Sequence, residues 1–175
     1  LSSSTRPLDF MAPWVVDPLV ARFGLIYDIS DFTETVSLLR RSGALEQDRS
    51  FRMLFRSQRR VNRLASQQKA KLEKYLGDGA FYSSREAHHL LVLAMQIQRA
   101  YREALAKGFP FSNGLRIALN HGQYRLLPIQ IGGKEEGGDR YEFFGHGVVE
   151  LTRLTSGKAS REIDEIKTLL ITLGY

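Results

Sequence analysis

The sequence predicts an α+β domain with a ferredoxin-like core, a mixed or antiparallel sheet with helices packed on one side. Three observations lead there. A hairpin pattern, Lys71 to Tyr82, stands in the middle of the chain and demands two antiparallel neighbours. Apolar runs far before and after it, Phe23–Ile29 and Leu115–Ile131, read as further strands. Stretches of helical period separate these β signals, without the regular alternation of a parallel βαβ series.

Bulk properties narrow the class. The 175 residues suit one domain with a sizeable core, and no internal repeat is visible. At 43% hydrophobic and 25% charged, the composition is that of an ordinary globular protein. The longest apolar runs are too short to cross a membrane, and no basic-then-apolar leader opens the chain. It starts at Leu1 and not Met, so a piece of a longer protein with additional domains is expected. The absence of Cys excludes disulfides, thiol catalysis and thiolate metal sites. It also fits a reducing compartment, and a cytoplasmic location is expected. The net charge of +6 favours an anionic ligand.

In chain order, residues 1–22 read as a lead-in. Ser2 to Ser4, Pro7, Pro13 and Pro18 argue against regular structure, and Trp14 is its natural anchor. The domain proper is expected over 23–175. Phe23 to Ile29 is a buried strand with one charge, Asp28. An unpaired buried carboxylate costs several kcal/mol or is forced to protonate. Asp28 therefore belongs near a strand end, compensated by a cation or by hydrogen bonds from the following turn. Phe32 to Arg41 has helical spacing, with Ser30 or Asp31 as its cap. The free N–H groups of its first turn can bind phosphate. Gly43 ends it.

Ser50 to Ala65 is a second amphipathic helix, with Phe51, Leu54, Phe55, Val61 and Leu64 inward. Its outer face carries Arg49, Arg52, Arg56, Arg59, Arg60 and Arg63. No aromatic residue stands among these arginines for base stacking, so a face that is solvated or pairs with a neighbouring domain is expected and nucleic acid is not. In the hairpin, Gly77-Asp78-Gly79 favours positive φ and lifts the Asp78 carboxylate clear of the strands. There it could hold a cation if a second carboxylate came near.

Arg85 to Ala106 is a long helix with Leu90, Ala94, Ile97, Tyr101 and Leu105 inward. His88 and His89 are adjacent, so they should point apart and share no metal. Leu115–His121 and Tyr124–Ile131 read as two strands around Gly122. Residues 132–138 are glycine-rich but lack the Gly-Lys-Ser/Thr ending of a P-loop, and read as a surface loop. Tyr141–Phe144 is a short strand, Gly145–Leu154 a helix, and Arg161–Leu173 a last amphipathic helix.

Four of these stretches, in order, resemble the class III nucleotide cyclases, the catalytic domain of adenylate and guanylate cyclases. The resemblance covers roughly residues 23–157. Tyr27-Asp28-Ile29-Ser30-Asp31-Phe32-Thr33 looks like the family's Asp-Ile-x-Gly-Phe-Thr motif. Lys74-Tyr75-Leu76-Gly77-Asp78 looks like its Lys-x-x-Gly-Asp hairpin. Leu115 to Gly122 is similar to its next strand and glycine, and Tyr141 to Leu154 to its last strand and helix, where Gly145, Val148 and Arg153 fall in place. The related diguanylate cyclases carry a Gly-Gly-Asp/Glu-Glu-Phe hairpin, which is absent.

The resemblance implies the cyclase fold and a set of roles. Asp28 and Asp78, with the Ile29 carbonyl, would hold two divalent cations, Mg²⁺ or Mn²⁺. Phe32 and Thr33 would cradle phosphates. Lys74 and Glu142 would read the purine, and an acidic Glu142 favours ATP over GTP because it accepts the adenine amino group. Arg153 would stabilise the transferring phosphoryl group. A head-to-tail homodimer with sites at the interface is implied, since the family draws the metal carboxylates from one subunit and the other groups from its partner.

Two positions depart from the pattern. Val149 stands where the family has a ribose-orienting Asn, with His146 and Glu150 as nearby polar substitutes. Asp31 stands where the family has Gly and would face the triphosphate. The sequence therefore supports either a cyclase making cyclic AMP from ATP, with low activity, or a degenerate cyclase-homology domain that binds nucleotide or dimerises.

Overall fold

Strand β1 (Leu19–Ile29) is the centre of a five-stranded sheet in which every neighbouring pair is antiparallel. The structure, a computed structural model, describes residues 19–129 and 140–156. The remaining elements are α1 (Phe32–Arg41), α2 (Ala44–Gln67), β2 (Lys71–Tyr75), β3 (Ala80–Ser84), α3 (Ala87–Leu105), β4 (Leu115–Ile129), β5 (Arg140–Phe144) and α4 (His146–Thr155). The sheet order is β2-β3-β1-β4-β5. Its first four strands, with their helical crossovers, form a ferredoxin-like core, and β5 extends the β4 edge.

Alternation along β1 explains both layers. Leu25 and Tyr27 point to the face covered by α2 and α3, where they meet Val61, Ala65, Leu90, Leu93 and Ile97. Ile26 points to the other face and packs with Phe81, Ala118, Tyr124 and Leu151 of α4. Helices thus cover both faces, and not one as the element order suggested. A third cluster, Ile29, Leu54, Tyr101, Phe109 and Phe111, closes the end of the sheet beneath α1.

Several boundaries differ from the sequence reading. β1 begins at Leu19, ahead of Phe23, because Leu19–Ile29 pairs without a break with Leu115–Arg125. The two expected strands around Gly122 are one continuous β4 for the same reason. Gly122 does not turn the chain; it leaves room for α4, since a Cβ there would lie 3.1 Å from the Gly147 Cα. Helix α2 starts at Ala44, directly after Gly43 with φ 96°. Phe55, expected inside, is 56% exposed. The lead-in with Trp14, the glycine-rich 132–138 and the helix expected over 161–173 lie outside the described residues.

The sheet curls strongly. Strands β2 and β5 are its opposite edges, yet Phe143 of β5 packs edge-on against Phe81 of β3 at 5.7 Å between ring centroids. Lys71 of β2 lies 5.9 Å over the same Phe143 ring. Accumulated strand twist brings the edges together over a small concave face.

Candidate functional site

Asp28 is the next-to-last residue of β1, and Asp78 sits in the β2–β3 turn beside it. The contact between them is set by glycine. Tyr27 pairs with Ala80, so Gly79 falls against the β1 backbone; a Cβ there would lie 1.8 Å from the Tyr27 carbonyl oxygen. Only a residue without a side chain permits this approach. The positive φ of the turn falls on Gly77, at 91°. Gln58 of α2 anchors the turn through Nε2 donating to the Gly77 carbonyl at 2.6 Å. Asp78 is therefore half-buried against β1, and not lifted clear of the strands as the turn pattern suggested.

Both carboxyls are held above the usual carboxylate range. For Asp28 the cause is first burial, then the Asp78 charge, opposed by Arg116. For Asp78 it is burial, opposed by the backbone N–H groups of Asp78 and Ile29 and by Arg116. Burial of both carboxyls, with the Asp78 charge acting on Asp28, disfavours two bare negative charges here and would favour a cation between them.

Arg116 is the residue the sequence reading passed over. It stands opposite Asp28 in the β1–β4 ladder, with Nε 3.3 Å from Asp28 Oδ1. The two atoms sit at ion-pair distance without hydrogen-bond alignment, and both are buried with no hydrogen-bond partner among the described residues. This guanidinium is the compensating cation that Asp28 required; the alternative of hydrogen bonds from the next turn is not realised. An orphaned carboxylate oxygen beside a second carboxylate suits a divalent cation, which takes oxygen ligands. The donor set Asp28, Asp78 and the Ile29 carbonyl fits such an ion. The signal that could have found Arg116 is register: a lone basic residue just after Gly114 that pairs with the acidic strand end.

Helix α1 leaves this point directly. Asp31 is its N-cap residue, at φ 54° and ψ 31°, and neither Ser30 nor Asp31 makes a side-chain cap bond. The left-handed backbone explains why glycine suits this position; aspartate is among the few other residues that tolerate it. Ser30 N–H donates to Gly114 carbonyl oxygen at 2.9 Å, tying the turn to the loop before β4. Phe32 stacks on Phe111 at 4.9 Å, so its ring belongs to the core and only its backbone N–H faces outward chemistry. Thr33 is exposed in the uncapped first turn.

Lys74 and Glu142 are brought together as an ion pair across the curl of the sheet. A β-bulge aims Lys74: Leu72 faces Tyr82 and Lys74 faces Phe81, which leaves Glu73 unpaired in the ladder. Glu73 turns inward instead, accepting from Ser83 Oγ at 2.6 Å and Lys71 Nζ at 3.0 Å.

Arg153 is exposed on the outer side of α4, with no side-chain partner among the described residues. Val149, one turn before it, is 49% exposed. Neither joins the Asp28–Asp78 cluster. The polar substitutes near Val149 are engaged elsewhere. Glu150 accepts from Asn120 Nδ2 at 3.2 Å and lies 3.3 Å from His146 Nδ1. Asn120 in turn accepts from Tyr124 Oη at 2.5 Å. Burial pushes the Tyr124 hydroxyl up to about 12, partly offset by the Asn120 bond.

At the start of α3, Glu86, His88 and His89 bring ligand atoms within 4.8 Å of one another. The two rings are 4.1 Å apart, so the expectation that adjacent histidines diverge does not hold in this first turn. No helix among the described residues is long and apolar enough to cross a membrane.

Solved structures that match this chain include nucleotide cyclase domains and a cyclase-like relative. The guanylyl cyclase Cya2 matches with a TM-score of 0.64 at 17% identity, over 81% of this chain and 72% of that one. The adenylyl cyclase CyaB from P. aeruginosa matches at 0.59 and 15%, over 80% and 74%. A class III adenylyl cyclase-like ATP-binding protein from Pseudomonas aeruginosa matches at 0.65 and 15%, over 83% of this chain and 34% of that one. No protein-family model and no curated protein matches the sequence. The chain thus has the fold of class III nucleotide cyclase catalytic domains.

Proposed function

We propose that this chain is a nucleotide cyclase domain that converts ATP to 3′,5′-cyclic AMP and pyrophosphate as a homodimer. The observation that carries the reading is the convergence of Asp28 and Asp78 at the head of β1, beneath the uncapped start of α1. Asp28, Asp78 and the Ile29 carbonyl would hold two divalent cations, Mg²⁺ or Mn²⁺. Such ions, when bound, lower the pKa of a ribose 3′-hydroxyl and neutralise a triphosphate.

This chain's own residues would do the rest. The first-turn N–H groups of α1, at Phe32 and Thr33, receive phosphate oxygens. Arg116, which lies against Asp28, would offer its guanidinium to the same phosphates. Lys74 donates to the purine ring, and Glu142 accepts from the adenine amino group; guanine presents a carbonyl there, which a carboxylate cannot bind. Arg153 stabilises charge on the α-phosphoryl group as the ribose 3′-oxygen bonds to phosphorus and pyrophosphate leaves. Arg153 is exposed on α4 and is not part of the Asp28–Asp78 cluster, so under this reading a second copy would supply it. Exposed Phe144, Val149 and Leu154 on β5 and α4 support a covered face there.

The test is direct. Purified protein incubated with ATP and Mn²⁺ should yield cyclic AMP, and the Asp78→Ala variant should not; equal product from both sinks the assignment. A second reading is favoured by two observations. Val149 offers no hydrogen bond at an exposed position, and Arg116 already neutralises Asp28. Under it the domain binds nucleotide without turnover. Calorimetry with ATP and Mg²⁺, with cyclic AMP assayed in the same samples, separates them: binding with no cyclic AMP formed supports the second reading, and brisk turnover excludes it.

A further inference from the structure

A basic feature lined by none of these site residues lies between α2 and α3. A groove of about 590 Å³ opens there, lined by Arg49, Arg52, Arg56, Arg60 and Lys107. Its floor is apolar: Met53, Ala100 and the edge of Phe109, which is otherwise buried. Three of the five cations already have carboxylate partners. Arg49 lies 4.0 Å from Glu46, Arg52 pairs with Asp48, and Arg60 meets Glu103 at 2.5 Å. Arg56 and Lys107 form no ion pair among the described residues. The groove therefore keeps an excess of two positive charges over a hydrophobic base.

We propose that this groove binds a small phosphate monoester, its dianion held by Arg56 and Lys107 and its apolar body laid on Met53 and Ala100. The excess charge matches a phosphate dianion. The volume falls within the range of a site for one small molecule. A solvated arginine face, the reading the helical pattern alone suggested, needs no cavity and no apolar floor.

The test uses the full chain in EDTA, so that no metal-dependent nucleotide binding intervenes. Titration calorimetry with AMP at low salt should show one site, tighter than for either inorganic phosphate or adenosine alone. Arg56→Glu and Lys107→Glu should each weaken AMP by about tenfold or more, the scale of a lost charge-assisted bond. Both side chains are exposed, so the variants should fold, which circular dichroism checks. Lys74→Ala should leave the affinity unchanged. The proposal is overturned if AMP does not bind. It is equally overturned if phosphate alone binds as tightly, if both charge reversals leave affinity intact, or if Lys74→Ala abolishes binding.

Discussion

Arg116 Nε lies 3.3 Å from Asp28 Oδ1, across the β1–β4 ladder, and neither atom makes a hydrogen bond among the described residues. The guanidinium neutralises a strand-end carboxylate without satisfying it. An ion pair of this kind offsets the buried charge and leaves carboxylate lone pairs open. The Arg116 side chain is 41% exposed, so solvent screens the pair and its own contribution to stability is modest.

Arg116→Ala should lower metal-free stability by about 1 kcal/mol, because Asp28 loses its counter-charge. Saturating Mn²⁺ should recover most of that loss, so the metal-induced rise in melting temperature should be larger than in the parent protein. Differential scanning calorimetry with and without Mn²⁺ decides it. An equal deficit under both conditions would show that Asp28 does not meet the ion.

Asp78→Asn should stabilise the metal-free protein at neutral pH. The Asp78 carboxyl is raised in the folded state, by burial first. Between the ordinary value of 3.8 and the raised folded value, the native state holds more protons than the unfolded chain. Stability is therefore favoured on the acid side and falls as pH rises through the folded value. Removing the charge should gain on the order of 1 kcal/mol at pH 7, roughly 2–4 °C for a chain of this length. The gain should vanish as pH approaches that of a free carboxylate, and the Mn²⁺ response should disappear. Melting curves from pH 4 to 8 would contradict this if the variant lost stability at neutral pH.

Gly79→Ala should cost about 3 kcal/mol or more, since its Cβ would sit inside the Tyr27 carbonyl. The hairpin must then withdraw from β1, taking Asp78 away from Asp28. Urea denaturation measures the loss, and a Mn²⁺ titration of the folded fraction should show weakened binding. A fully stable variant would mean that the turn can shift without consequence.

Val149→Asn should change stability by less than about 0.5 kcal/mol, because the side chain is half in solvent. If the cyclase reading holds, cyclic AMP formation should rise by up to about a hundredfold, the scale of a recovered positioning contact. Initial rates under matched ATP and Mn²⁺ test it. No change would remove Val149 as the cause of low turnover.

The hairpin, the two long helices and the strand that carries Asp28 near its end were legible because each is a local pattern. Gly-Asp-Gly between apolar runs and helical spacing with glycine stops need no distant partner to be read. The continuity of β4 was not legible: Gly122 looks like a break until Arg22 is seen to pair with it. The role of Gly79 was misread for the same reason. Its need is close approach to Tyr27, a contact that turn chemistry cannot reveal. Lys74 and Glu142 were each named from resemblance, but their meeting depends on the curl that folds opposite sheet edges together.

By itself the sequence determined most of the elements among the described residues and that Asp28 needs compensation near its strand end, because periodicity and the cost of buried charge act over short stretches. Tertiary structure alone decided who that partner is. Strand register set Arg116 opposite Asp28, and a glycine-permitted contact brought Asp78 beside it. Pairing between residues some ninety positions apart is a property of the closed sheet, and local physics carries no record of it.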